Sequence, residues 1–185
     1  MNFDASTYGV DVAAILELDG GGQRLMPLAE GTCSSETARI RLSKSSGDGL
    51  FRGARAPQAA LSGLWLYFSC LDESHSLSQD ISTADGSFWH GIMHRQEPDA
   101  GNAAYWFRRT GTHAVFDRLA AESALLAGQH PKAGFRAGSR WDPFLFIDFC
   151  ENARRRPGSE AEHLALLIQR AEWQLLFDYC ASPGA

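Results

Sequence analysis

Two histidines stand four residues apart, His90 and His94, in the stretch SFWHGIMHRQEPDAGNAAYWFRRTGTH at residues 87–113. Residues four apart on a helix lie one above the other on the same face. Two imidazoles placed that way can bind one metal ion. Glu97 falls on the same line and supplies a carboxylate to the set. The pattern is not the zincin helix, because Gly91 stands where that motif carries its glutamate. His75 lies upstream in LDESH, beside Asp72 and Glu73, and the short connection SLSQDISTAD can return the next helix antiparallel. His75 would then approach the His90/His94 face. On this reading His90, His94 and Glu97 hold a divalent metal, and His75 or Glu73 serves as a third ligand or a general base. Hydrolysis by metal-activated water is the reaction such a set supports.

Other residues in the same region could do chemistry. In YWFRR, Tyr105, Trp106 and Phe107 cannot all face one way on a helix, so part of that run is core. Arg108 or Arg109, with Asn102 and Tyr105, would form an anion site, since the guanidinium fork suits carboxylate or phosphate. The run WDPFLFIDFCEN is apolar nearly all round, yet carries Asp148 and Glu151 on one stripe. Buried charges need partners, and Arg108, Arg109, a histidine or a cation would serve. The rival reading uses the same residues. In it the His, Asp, Glu and Arg groups form a structural hydrogen-bond network, and the function is non-catalytic binding or scaffolding.

Composition limits the alternatives. The chain has 185 residues, 44% hydrophobic and 21% charged, which suits one globular domain with a sizeable core. A net charge of −5 argues against nucleic acid as the partner, because phosphate binding needs a positive field. A small anionic ligand fits better. Cys33, Cys70, Cys150 and Cys180 include no CxxC pair, and the last three lie in apolar runs. They read as thiols in a reducing cytoplasm, not as a disulfide framework. The opening MNFDASTYG has no basic n-region, so no secretory leader is expected. The longest apolar run, residues 59–71, is too short to cross a bilayer. Walker A, GxSxG and GxGxxG signatures are missing from the sequence.

These groups must be carried by helices. Periodicity and caps predict helices over 7–18, 57–71, 86–97 (capped by Asp85), 100–110 (Asp99), 113–127 (Thr112), 142–156 and 160–180, the last with a Ser159/Glu162 capping box. Residues 19–56 are the least regular. SSETARIRL alternates between helix and strand readings, and SKSSGDG reads as a loop. Leu61, Leu64, Trp65, Leu66, Tyr67 and Phe68 surround the 57–71 helix, which marks it as the buried, central one. LDESHSLSQD is then its polar end. The expected fold is all-α, a single-domain bundle of about seven helices.

The block LWLYFSCLDESHSLSQ, followed by GSFWHGIMHRQEPDAGNAAYWFRRTGTH, resembles a family of uncharacterised bacterial proteins. The likeness extends over roughly residues 60–116. It implies no activity, cofactor or substrate. It does mark Asp72, Glu73, His75, His90, His94, Glu97, Tyr105, Trp106, Arg108 and Arg109 as the positions that bear the motif.

Overall fold

The computed structural model describes residues 3–184. Among them are ten α-helices and no strand. They are α1 (Val10–Leu16), α2 (Glu36–Ser43), α3 (Gly47–Leu50), α4 (Pro57–Tyr67), α5 (Leu71–Gln79), α6 (Ala84–Gln96), α7 (Ala100–Thr110), α8 (Phe116–Gln129), α9 (Pro143–Arg154) and α10 (Glu160–Ala181). The all-α class stands, with more helices than the seven expected. No described helix is long and apolar enough to cross a membrane.

The extra helices have local causes. SSETARIRL is helical because the Ser35 hydroxyl accepts the Ala38 N–H and caps its first turn. Ser46 does the same for the single turn of α3. The largest change lies at the end of α4. The apolar run continues past Tyr67, but the helix stops there and Ser69 enters the left-handed region at φ 57°. The last carbonyls of a helix need outside partners. The Arg24 guanidinium donates to the Tyr67 carbonyl and the Ser69 hydroxyl, while the Ser34 N–H donates to the Phe68 carbonyl at 2.8 Å. The chain turns and restarts as α5. LDESHSLSQ is therefore a helix of its own rather than the end of the central one.

Helix α4 is buried from Ala59 to Tyr67, as expected of the central element. It packs against α5, α6 and α10. Two buried serines join α4 to α5: the Ser62 hydroxyl donates to the Ser74 carbonyl at 3.2 Å, and the Ser74 hydroxyl to the Ser62 carbonyl at 3.1 Å. Gly63 lets Trp89 of α6 lie directly on α4, since a Cβ there would stand 2.7 Å from the indole. From the far side, Trp173 of α10 donates its indole N–H to the Gly63 carbonyl at 2.7 Å.

Several caps fall where expected, with Asp99 and Ser159 accepting the first N–H groups of α7 and α10, and Asp142 does the same for α9. Two do not. Thr83, not Asp85, caps α6, because Asp85 is drawn to His113 at 2.9 Å. Helix α8 starts at Phe116 rather than after Thr112, because the chain first wraps His113 against Phe88 and Tyr179. Helix α9 is not buried all round either. Phe144, Leu145 and Asp148 face solvent, and Glu151 pairs with Arg154 one turn on. No distant cation is needed there.

Candidate metal centre

Every residue of α6 from Gly86 to Gln96 is buried. One side of α6 is lined by Phe88, Trp89, Ile92 and Met93, which pack into the core. The line of His90 and His94 is also out of solvent, at 1% and 6% exposure, because α5 and α7 cover it. Helix α5 runs antiparallel to α6, with Ser78 beside His90 and His75 reaching His94. The ring centroids of His75 and His90 are 4.6 Å apart, those of His90 and His94 4.7 Å, and those of His75 and His94 5.5 Å. Each ring offers a ligand atom, and the three atoms lie within 4.8 Å of one another. Two nitrogens on one zinc ion stand at most about 4.2 Å apart, from bonds of about 2.1 Å. In a tetrahedral site the same bonds put the nitrogens about 3.4 Å apart, so the rings would have to draw closer together to hold an ion.

The hydrogen bonds behind the rings determine which nitrogens point inward. The Ser78 hydroxyl has one proton and donates it to the Ser74 carbonyl at 2.7 Å. Its oxygen therefore accepts from His90 Nδ1, 2.8 Å away. The lone pair of neutral His90 is then on Nε2. His94 Nδ1 is 2.8 Å from a Glu97 carboxylate oxygen, which can only accept from it, so Nε2 is again the free nitrogen. A histidine held at one nitrogen by an acceptor and free at the other is the usual form of a metal ligand. Among the described residues the His75 ring has no hydrogen-bond partner, and its ring contacts are with His90 and His94. It is also half-buried, which makes it the solvent side of the cluster.

Helix α7 forms the roof. The Trp106 ring lies 4.0 Å from the His90 ring. The exposed Arg109 guanidinium sits over Trp106 at 5.1 Å and near Tyr105 at 6.0 Å. No carboxylate pairs with Arg109 among the described residues.

The structure thus joins His75 to His90 and His94 and gives other expected residues different places. Glu97 supports His94 from behind instead of facing the cluster centre, because its short reach from one turn on meets Nδ1 first. Glu73 stands two residues, more than half a helical turn, from His75. It points toward α2, where it pairs with Arg39 at 3.5 Å. Its carboxylate is thus directed away from the triad. Arg108 lies over Phe144 at 5.7 Å. Asn102 is occupied by Asp99 at 2.7 Å, while Tyr105, 49% exposed, stays beside Arg109.

Three groups were missed in the sequence. Ser74 looks like part of a polar helix end, and Ser78 like a linker residue, until α5 is seen as a helix. His113, at the start of the helix expected over 113–127, has a buried side chain that pairs with Asp85. Arg95 and Glu172, 1% and 0% exposed, form an ion pair inside the core. Glu172 had a visible signal, since it falls four residues after Ile168 and four before Leu176 on the apolar side of α10.

Burial first, then the neighbouring His94 and His75 rings, push the His90 pKa down from 6.5 to about 3. A neutral imidazole is the form that binds metal. The sign for stability follows. Between those two values the unfolded chain takes up a proton that the folded, metal-free chain does not. Stability is therefore full above pH 6.5, falls as pH drops toward 3, and levels off below. Thermal melts of metal-free protein across this window check it. His90→Gln is expected to flatten the slope, and an unchanged slope would assign the loss to other groups.

Comparison with protein-family models, curated proteins and solved structures finds no match to this chain.

Proposed function

We propose that this chain is a metalloprotein in which His75, His90 and His94 bind one divalent transition-metal ion. The observation that carries the reading is the pattern of hydrogen-bond contacts behind the rings. Ser78 and Glu97 occupy both Nδ1 atoms, leaving two Nε2 lone pairs beside an unpartnered third imidazole. Imidazole ligands favour zinc, copper, iron or nickel over magnesium or calcium. Three protein ligands leave a coordination position open, as catalytic zinc sites do, and an ion so held supplies a water acidic enough to act as a nucleophile near neutral pH. Arg109, over Trp106 at the edge of the cluster, would hold the anionic group of a small substrate. Hydrolysis of a small anionic molecule in the cytoplasm is the activity this reading assigns. With a net charge of −5, nucleic acid is a poor candidate for that substrate.

The scaffold reading requires the polar groups to satisfy one another. Arg95 with Glu172 and His113 with Asp85 do so, but the triad does not, since His75 lacks a hydrogen-bond partner among the described residues. The deciding experiment is elemental analysis of untagged protein, stripped with chelator and then incubated with divalent ions. The His90→Ala/His94→Ala variant is measured beside it. One ion per chain, lost in the variant, is the expected result. Failure of the unmodified protein to retain any metal would overturn the reading and leave the triad as a structural cluster.

A further inference from the structure

Away from the triad, two thiols face each other. Cys33 Sγ and Cys70 Sγ are 2.8 Å apart, and each cysteine is reduced. The approach is built into the backbone. The Ser34 N–H donates to the Phe68 carbonyl at 2.8 Å, which holds the chain beside Cys33 against the turn that carries Cys70. The Arg24 guanidinium fixes the same turn through Tyr67 and Ser69. Cys70 is buried, while Cys33 is half-buried and borders a cavity of about 270 Å³ shared with Glu30, Arg39 and Glu73. Cys70 also lines this cavity but is only 3% exposed, so Cys33 is the thiol more open to a small molecule and stands between it and Cys70. Cys150 and Cys180 are fully buried elsewhere in the core.

We propose that Cys33 and Cys70 are a redox-active dithiol that takes low-molecular-weight disulfides as its oxidant and closes into a reversible intramolecular disulfide. The thiolate of Cys33 attacks one sulfur of the small disulfide, whose S–S bond breaks and releases one small thiolate. Cys70 then loses its proton, and its sulfur attacks the Cys33 sulfur of the mixed disulfide. The bond between Cys33 and the reagent breaks, and the second small thiolate leaves. Two protein thiols are oxidised, one small disulfide is reduced to two thiols, and the two protein protons end on those thiols. The order follows from access, and burial together with the adjacent Cys33 thiol also raises the Cys70 pKa, which leaves Cys33 to react first. The product ties the segment before α2 to the residue that opens α5, the helix carrying His75. Disulfides of this accessible kind in a reducing compartment are typically transient or sensing rather than structural.

The test is incubation of the full chain with glutathione disulfide and glutathione at graded ratios, then alkylation and peptide mapping by mass spectrometry. The expected product is a Cys33–Cys70 cross-link, reversed by dithiothreitol, with Cys150 and Cys180 still free. Cys70→Ser should accumulate a glutathione adduct on Cys33, and Cys33→Ser should give neither adduct nor cross-link. Wild-type protein that stops at the Cys33 adduct, or keeps both thiols alkylatable in fully oxidised glutathione, would overturn the proposal. Metal content does not enter this test, so it succeeds or fails independently of the triad.

Discussion

His94→Ala is expected to weaken zinc binding by more than about 100-fold, whereas Glu97→Gln and Ser78→Ala should each weaken it by about 10- to 100-fold. The difference in rank is the point. On the proposed reading His94 and His90 would bind through Nε2, while Glu97 and Ser78 contact the Nδ1 atoms. Removing a ligand deletes a coordinate bond. Removing its support leaves the bond but frees the ring to rotate and lowers its basicity. His75→Ala should rank with His94→Ala, since it is the third member of the set and the one open to solvent. Competition against a chromogenic chelator at fixed pH measures all four. Melting of each metal-free variant shows whether it still folds, which matters because His94 is 6% exposed. Equal losses for Glu97→Gln and His94→Ala would place Glu97 in the coordination sphere. Unchanged affinity in His75→Ala would remove it from the triad.

The second large effect concerns stability. Glu172→Leu should cost about 3–5 kcal/mol, because it leaves Arg95 charged and unpaired in the core. Arg95 has few other partners there. Gln169 reaches it at 3.4 Å, the Phe146 ring faces it at 4.5 Å, and its Nε has no acceptor among the described residues. The reverse change should be milder. Arginine cannot shed its proton, but a carboxylate can take one up. Burial already pushes the Glu172 pKa upward, against the pull of Arg95. In Arg95→Met the lone Glu172 would become neutral at modest cost. Combining Arg95→Met with Glu172→Leu should recover most of the loss, since both charges then leave the core together. Urea unfolding of the two single variants and the double variant forms a closed cycle. Additive losses in the double variant would show that the two side chains do not act as a pair.

How far the site was legible depended on the range of the signal. The His90/His94 pair follows from helical spacing alone, and the approach of His75 follows from a short connection between two elements. Both signals are local. Glu97 was placed on the right face, but its contact with His94 Nδ1 was not legible. Spacing says which residues are neighbours on a helix, not which nitrogen of an imidazole a carboxylate will meet. Glu73 was grouped with His75 because both were read as one polar helix end. Once Leu71–Gln79 is a helix, two residues of separation put them on opposite sides.

By itself the sequence determined the helical class, the burial of Ala59–Tyr67, the caps at Asp99 and Ser159, and the shared face of His90 and His94. These rest on periodicity and on hydrogen bonds that span three or four residues. Tertiary structure decided the break after Tyr67, the Arg95–Glu172 and Asp85–His113 pairs, and the meeting of Cys33 with Cys70. Each of these joins residues 28 to 77 positions apart. The partner that satisfies a buried carbonyl, charge or thiol is whichever group the folded chain brings to it, and no local pattern encodes that choice.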